Sequence, residues 1–265
     1  MRISVTNRIK EITKNQPRGG YLPLKMFTIV NYHDDLQLLP NENIHHTLIG
    51  LAVDYLTRLM IGELPEKAFK ISLLGARIIK SESIAKKLLK KIKGLDDKSI
   101  INACKLSGFD VCYRKGKSFY QNVEEIEPNS NTVNNIRTLA NRCLRFFEDY
   151  GSVVYTCPMF VYKYVVGDGD FITKDALWDI KNCKDEPDKN DTLQLLMYYI
   201  MSNIMYNNLE KCKIGANMIE KYKNIQNIGF MNPKLNKIYI LKTSDIPQDI
   251  IDVVIKEVLE YKVEE

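Results

Sequence analysis

The chain has 265 residues, enough for one large domain or for a catalytic domain with a helical extension, and we expect the second arrangement. Hydrophobic residues make up 45% and charged residues 27%, a balance typical of folded globular proteins that excludes a disordered or fibrous chain. The formal net charge of +5 permits contact with a polyanion but does not require it.

No stretch of the sequence reaches the ~18 consecutive apolar residues that a membrane-spanning helix needs. The first residues carry no apolar segment of the kind found in secretory signals. We therefore expect no membrane contact and a cytoplasmic protein. The cysteines stand singly, without the CxxC pairs of structural zinc sites, and we expect free thiols at positions 104, 112, 143, 157, 183 and 212.

The first 150 residues are predicted to be mostly helical after a start rich in loops. Proline and glycine in residues 1–43 favour loops and short strands. Two or three helices are predicted over residues 66–112, and another from Thr132 to Tyr150. A helix over residues 44–61 is predicted by apolar residues that recur on one face, at positions 48, 51, 52, 55, 56 and 59.

A lysine-rich segment, residues 81–94, is predicted to form an amphipathic helix that ends at Gly94. Its lysines either contact nucleic-acid phosphates or form only a solvated face. The candidate nucleic-acid contacts are Lys86, Lys87, Lys90 and Lys91.

From Ser152 onward the composition favours extended chain. Residues 153–166 are rich in β-branched and aromatic side chains and are interrupted at Pro158. Residues 170–184 are predicted to form a hairpin that turns near Lys174 and Asp175. A helix capped by Asp191 follows at residues 192–205, then a second hairpin over residues 225–242, and a final helix from Gln248 to Tyr261. This order predicts a mixed α/β architecture.

The second strand of the first hairpin, residues 176–181, carries charge among apolar residues. Alternation along the strand places Leu177, Asp179 and Lys181 on one face. A charged pair buried there is costly unless a counter-charge or a metal ion balances it. Asp170 heads the preceding strand, so the hairpin brings its carboxylate close to that of Asp179. We favour Asp170 over the neighbouring Asp168 because apolar residues follow it directly.

Two such carboxylates attract a divalent cation, and Mg²⁺ prefers hard oxygen ligands, with Mn²⁺ expected to substitute for it. Lys181 would then position a metal-activated water and offset charge on a scissile phosphate. Gln194 and Tyr198 lie one helical turn apart and can contact the phosphate or hold the lysine. The alternative is a structural ion pair between Asp179 and Lys181.

Three motifs in this part of the chain resemble those of the PD-(D/E)XK nuclease superfamily, in its RecB-like branch. The patterns GxxD, DxK and QxxxY are matched by Gly167 to Asp170, Asp179 to Lys181, and Gln194 to Tyr198. The resemblance covers roughly residues 150 to 243. It implies a restriction-endonuclease-like core, in which helices flank a mixed sheet, and metal-dependent cleavage of phosphodiester bonds, usually in DNA. It also implies the backbone carbonyl of Ile180 as a further metal ligand.

In that branch an earlier helix supplies a histidine or an acidic ligand. Asp54 resembles the acidic position, although glutamate is more common there, and His46 lies on the same stripe of its helix. A helix-packing aspartate is the alternative. Members with an iron-sulfur cluster carry three cysteines grouped near the C-terminus, and this chain lacks that group, so we expect no such cluster.

These observations lead us to expect a PD-(D/E)XK nuclease core over residues 151–265. Residues 1–150 are expected to form a mostly helical portion that contributes one helix, at about residues 44–61, to that core. The expected function is Mg²⁺-dependent hydrolysis of nucleic acid, with DNA favoured over RNA. The alternative is a catalytically silent nucleic-acid-binding or assembly subunit of a defence or repair complex. A protein partner or a homo-oligomer is compatible with both.

Overall fold

A computed structural model describes residues 2–32, 34–208 and 215–260. The chain forms two compact units, one made of Asp34–Phe146 and the other of Met1–His33 with Phe147–Glu265. Residues 1–33 thus group with the C-terminal part of the chain, whereas the sequence pattern placed them with the helical portion. The reason is long-range pairing, because Ile3 and Ser4 form a parallel ladder with Val165 and Val166.

The secondary structure is mixed α/β, as predicted. The described α-helices are α1 (Val5–Ile12), α2 (His46–Met60), α3 (Pro65–Ala68), α4 (Lys70–Ile78), α5 (Glu82–Lys90), α6 (Asp97–Ser107), α7 (Asp110–Arg114), α8 (Ser130–Tyr150), α9 (Lys189–Asn207), α10 (Ala216–Ile219) and α11 (Gln248–Val254). The described strands are β1 (Ile3–Ser4), β2 (Thr28–Asn31), β3 (Tyr155–Thr156), β4 (Met159–Tyr162), β5 (Val165–Asp168), β6 (Phe171–Ile172), β7 (Ala176–Ile180), β8 (Asn227–Asn232) and β9 (Lys237–Lys242). Within the described residues, no helix has the length and apolar character to span a bilayer.

The helical unit contains α2 to α7 and most of α8. The predicted helix over residues 44–61 is confirmed as α2, but its buried face is rotated from the predicted stripe. Positions 52, 55 and 56 are buried as predicted, whereas 48, 51 and 59 are only half-buried and Ile49 and Val53 are buried instead. The lysine-rich helix α5 ends at Lys90 rather than at Gly94.

The other unit contains two sheets. The larger has the strand order β2-β9-β8-β7-β6-β3, and the smaller has the order β1-β5-β4. In the larger sheet β7 and β8 are parallel, and the other neighbouring pairs are antiparallel. Helix α9 lies between β7 and β8 in the chain, as a connection between parallel strands requires. Both predicted hairpins are confirmed, as β6–β7 and β8–β9.

The segment before the first hairpin is more divided than predicted. Residues 153–166 contribute three short strands, and β4 and β5 form a hairpin of their own in the smaller sheet. Lys163 has a positive φ of 47° in the turn of this hairpin, and Cys157 has one of 48° just before Pro158. These two backbone reversals end the extended runs, so that a single long strand does not form.

Helix α9 begins earlier than predicted because Asp188, not Asp191, is its N-cap residue. The Asp188 side chain accepts hydrogen bonds from the backbone N–H groups of Asn190 and Asp191, and the Asp191 side chain accepts one from the Asp188 N–H. This reciprocal pair is a capping box, which satisfies donors at both ends of the first turn. At the other end of the chain, α11 continues from Ile255 as a π-helix to Leu259, and Tyr261 lies outside the described residues.

The cysteines of the described residues are free thiols, and Cys212 lies outside this part of the chain. Cys104 is fully buried, and burial raises the pKa of its thiol to about 12.

Candidate active site

The β6–β7 hairpin places Asp170 beside Asp179. Phe171 pairs with Trp178 in this antiparallel ladder, so the next step of the register sets Asp170 opposite Asp179. The Asp170 carboxylate is attached to β7, because its Oδ2 accepts a hydrogen bond of 2.8 Å from the backbone N–H of Ile180. Two carboxylates therefore share one end of the hairpin.

Strand β7 is covered on both of its faces. Trp178 is buried on one face, where its indole N–H donates to Thr173 Oγ1 at 3.1 Å and its ring lies edge-on to Tyr150. Leu177 and Asp179 lie on the other face, and both are buried. A charged residue in such a strand needs a counter-charge, because desolvation of an isolated carboxylate is costly.

Lys181 supplies that counter-charge, and it has three acceptors. Its Nζ lies 3.0 Å from Asp179 Oδ2 and 2.9 Å from Asp191 Oδ1, and it donates to Gln194 Oε1 at 3.1 Å. Burial disfavours the charged ammonium, but the carboxylates of Asp179 and Asp191 outweigh that effect and raise the pKa of Lys181. The lysine is therefore a fixed positive charge.

Gln194 and Tyr198 continue a directed chain of hydrogen bonds from the lysine. An ammonium can only donate, so the amide oxygen of Gln194 must face Lys181 and its amide nitrogen must face away. That nitrogen donates to the Tyr198 hydroxyl oxygen at 2.9 Å. The hydroxyl hydrogen of Tyr198 is therefore left to donate to another group. Gln194 and Tyr198, the two named residues of the QxxxY motif, therefore lie in one hydrogen-bonded chain with Lys181.

Tyr198 is buried within reach of several negative charges. Burial is the main cause that raises the pKa of its phenol, and the charges of Asp179, Asp168 and Asp170 raise it further. Tyr198 is therefore a neutral hydrogen-bond donor. Asp168 lies at the exposed end of β5, opposite Met159, whereas Asp170 is bonded to β7. The choice of Asp170 over Asp168 as a metal ligand stays a prediction.

Gly167 opens the GxxD motif for a packing reason. The ring of Tyr198 stacks on Phe160, with ring centroids 4.9 Å apart, and its edge lies against the backbone of β5. A Cβ atom on Gly167 would lie 2.7 Å from Tyr198 Cε1 and 2.9 Å from Val5 Cγ2. A residue with a side chain cannot fit there unless the tyrosine moves.

Asp191 is the site residue that sequence reasoning missed, since it was assigned only to the helix cap. Its Oδ2 serves the capping box while its Oδ1 contacts Lys181. Two features of the sequence could have indicated it. Asp188 and Asp191 have capping-box spacing, and Asp191 precedes Gln194 by three residues, so both lie on one face of α9.

The donor set fits a hard divalent cation. The charges of Asp168, Asp170 and Asp179 act on Tyr198, and the carboxylates of Asp179 and Asp191 contact the Lys181 ammonium. In the described part of the chain, no group of three or more His, Cys, Asp or Glu side chains is arranged to hold a metal. Asp170 and Asp179 with the Ile180 carbonyl use only two side chains, and Mg²⁺ commonly binds through one or two carboxylates plus waters and substrate oxygens.

The candidate ligands Asp54 and His46 belong to the helical unit. Asp54 Oδ1 accepts from Arg58 Nε at 2.8 Å, one turn further along α2. His46 is exposed, and the centroid of its ring lies 4.1 Å from the ring centroid of His45, the N-cap residue of α2. Asp54 thus has a partner within its own helix, and a role for either residue as a metal ligand stays a prediction.

The candidate nucleic-acid contacts also lie in the helical unit. Lys86, Lys87, Lys90 and Lys91 are all exposed along α5 and just after it. Their accessibility suits both a phosphate-contacting surface and a solvated face.

Comparison of the chain with protein-family models, with curated proteins and with solved structures finds no match.

Proposed function

We propose that this protein is a divalent-metal-dependent nuclease that hydrolyses phosphodiester bonds, with DNA as its substrate. The observation that carries the proposal is the arrangement at the end of the β6–β7 hairpin. Asp170 is bonded to the backbone beside Asp179, and Lys181, a half-buried lysine two residues after Asp179, contacts the Asp179 carboxylate. An isolated structural ion pair would need only Asp179 and Lys181.

The order of elements also supports the proposal. A hairpin, a helix and a strand parallel to the hairpin's second strand follow one another as β6, β7, α9 and β8. Such a succession agrees with the sheet flanked by helices that the sequence motifs imply. The GxxD, DxK and QxxxY residues converge on one cluster of hydrogen bonds rather than lying in separate places.

In this proposal Asp170, Asp179 and the Ile180 carbonyl hold Mg²⁺ or Mn²⁺. When bound, the cation supplies a water of lowered pKa and neutralises charge on the phosphate. Once Asp179 binds the cation, the N–H of Lys181 that it accepts in the structure would hold the attacking water. The ammonium is kept charged by neighbouring carboxylates and would offset the negative charge that develops on the scissile phosphate. No covalent intermediate is needed.

Gln194 and Tyr198 have supporting roles. Gln194 fixes the direction of the Lys181 ammonium through its amide oxygen and that of the Tyr198 hydroxyl through its amide nitrogen. Tyr198 keeps its proton and so can donate a hydrogen bond to a phosphate oxygen. The proposed enzyme uses no iron-sulfur cluster.

DNA is proposed over RNA on the motif resemblance, and the exposed lysines of α5 offer phosphate contacts for either polymer. The test is a cleavage assay on single-stranded, double-stranded, nicked and branched DNA beside RNA, with Mg²⁺, with Mn²⁺ and with chelator. We expect metal-dependent cleavage of at least one DNA substrate. Cleavage of RNA alone would overturn the choice of DNA.

The absence of cleavage of every substrate would favour the alternative function, a nucleic-acid-binding or assembly subunit of a defence or repair complex. Gel-shift binding to the same substrates, measured beside the cleavage assay, would then identify the polymer that the subunit holds. Sedimentation of the protein alone would show whether it forms a homo-oligomer.

A further inference from the structure

We infer that Asp191 is a positioning residue for Lys181, which keeps the ammonium in the site when Asp179 engages a cation. The inference rests on the proposed metal-dependent function. Its basis is that the Lys181 ammonium is shared between two carboxylates on different elements, with Asp179 on β7 at 3.0 Å and Asp191 on α9 at 2.9 Å.

The proposed function gives Asp179 two cationic partners, the Lys181 ammonium and the metal ion. In the structure its Oδ2 is the partner of Lys181, yet the same carboxylate is the proposed metal ligand. A divalent cation bound to Asp179 weakens the hold of that carboxylate on the ammonium and repels the ammonium directly. If Asp191 were also removed, the remaining acceptor for Lys181 among the three described above would be the neutral amide oxygen of Gln194.

The helix cap fixes the Asp191 carboxylate in an orientation that lets it keep the Lys181 ammonium in the site. Its Oδ2 accepts from the Asp188 N–H at 3.0 Å, so its Oδ1 is directed to Lys181 without loss of further side-chain freedom. Gln194 lies one turn further along the same helix. One face of α9 therefore carries both a charged and a neutral acceptor for the lysine.

A purely structural role for Asp191, as part of the helix cap, predicts a different outcome, and the chain offers a matched control. Asp191→Asn keeps an oxygen for the Asp188 N–H but removes the charge that faces Lys181. Asp188→Asn alters the same capping box, and asparagine remains a good N-cap residue. Within the described residues, the hydrogen bonds of Asp188 go to its own helix turn and not to Lys181.

The experiment measures acetylation of Lys181 by an N-hydroxysuccinimide ester, followed by mass spectrometry, with and without Mn²⁺. In the wild-type protein and in Asp188→Asn, we expect Mn²⁺ to change the labelling rate by less than about twofold, because Asp191 still holds the ammonium. In Asp191→Asn we expect Mn²⁺ to raise that rate by about tenfold or more, since a hydrogen bond between charged groups has been removed.

A second measurement separates positioning from folding. Asp191→Asn is expected to lower kcat with little change in KM or in the melting temperature, whereas Asp188→Asn leaves kcat unchanged. Mn²⁺ binding without extra labelling of Asp191→Asn would overturn the inference and leave the proposed function standing. An absence of Mn²⁺ binding in the wild-type protein would overturn the proposed function, and the inference with it.

Discussion

Gly167 and Tyr198 are in direct contact, since the position of a Cβ on the glycine lies 2.7 Å from Cε1 of the tyrosine ring. The contact ties the first sequence motif to the third. Any side chain at position 167 must displace Tyr198, and with it the hydroxyl that accepts from Gln194. The spacing of the motifs therefore reflects packing as well as chemistry.

Gly167→Ala is expected to destabilise the protein by about 1–3 kcal/mol, the usual cost of overpacking a well-filled site. The free energy of unfolding, measured by urea titration, checks this. Gly94→Ala is the control, because a Cβ on Gly94 meets nothing within 4 Å, and its effect should stay within about 0.5 kcal/mol. Equal effects of the two substitutions would contradict the packing argument.

Asp170→Asn and Asp179→Asn are each expected to weaken Mn²⁺ binding by at least about tenfold, since each removes a charged oxygen ligand. Isothermal titration calorimetry measures the affinity directly. Asp175→Asn is the matched control, because Asp175 is an exposed aspartate in the turn of the same hairpin. Unaltered Mn²⁺ affinity in the first two variants would show that the carboxylates are structural.

Tyr198→Phe is expected to change how stability depends on pH in the alkaline range. Burial and nearby carboxylates raise the pKa of Tyr198, so the folded protein keeps this proton where the unfolded chain, with a tyrosine pKa of about 10, has lost it. The stability linked to neutral Tyr198 is fully present below about pH 10 and falls as the pH rises above that value. In the phenylalanine variant this fall is smaller, by up to about 1.4 kcal/mol per pH unit.

Urea unfolding at several values between about pH 9 and pH 11 measures that difference as a slope. Tyr164→Phe, which changes an exposed tyrosine, is the control. Parallel pH profiles for wild type and Tyr198→Phe would show that the phenol titrates in the folded protein as it does in the unfolded chain.

Charge reversal of Lys86, Lys87, Lys90 and Lys91 tests the lysine-rich surface. If these lysines bind phosphates, DNA affinity falls and the slope of log affinity against log salt decreases by up to about 0.9 for each phosphate that is no longer neutralised. Fluorescence anisotropy over a range of salt concentrations measures both quantities. A control with the same change in net charge reverses the exposed lysines Lys67, Lys70, Lys80 and Lys98. If both charge-reversal variants show the same DNA affinity and the same salt dependence, the lysines of α5 form only a solvated face.

Local patterns made much of the fold after residue 150 predictable. The hairpins follow from short β-rich runs separated by turn residues, and α9 follows from a long apolar run. Within the site, strand alternation placed Asp179 and Lys181 together, and helical spacing placed Gln194 with Tyr198. Each of these relationships depends on residues that are close in sequence.

Features that depend on distant residues were not predictable in the same way. Helix α1 has only eight residues, and it is buried through contacts with segments far along the chain, such as the bonds from Arg8 to the carbonyls of Glu257 and Val258. The pairing of β1 with β5 has the same long-range origin. The contact of Asp191 with Lys181 requires α9 to pack on the end of β7, which periodicity alone does not specify.

The central claim is that Lys181 acts in phosphodiester cleavage, and single-turnover cleavage of DNA by Lys181→Ala tests it most directly. Lys174→Ala, which removes an exposed lysine from the turn of the same hairpin, is the control. We predict that Lys181→Ala lowers the cleavage rate by about 10²–10³-fold, as expected for a group that stabilises charge in the transition state, while Lys174→Ala cleaves like the wild type. Equal cleavage rates in the wild type and in a folded Lys181→Ala would contradict the account.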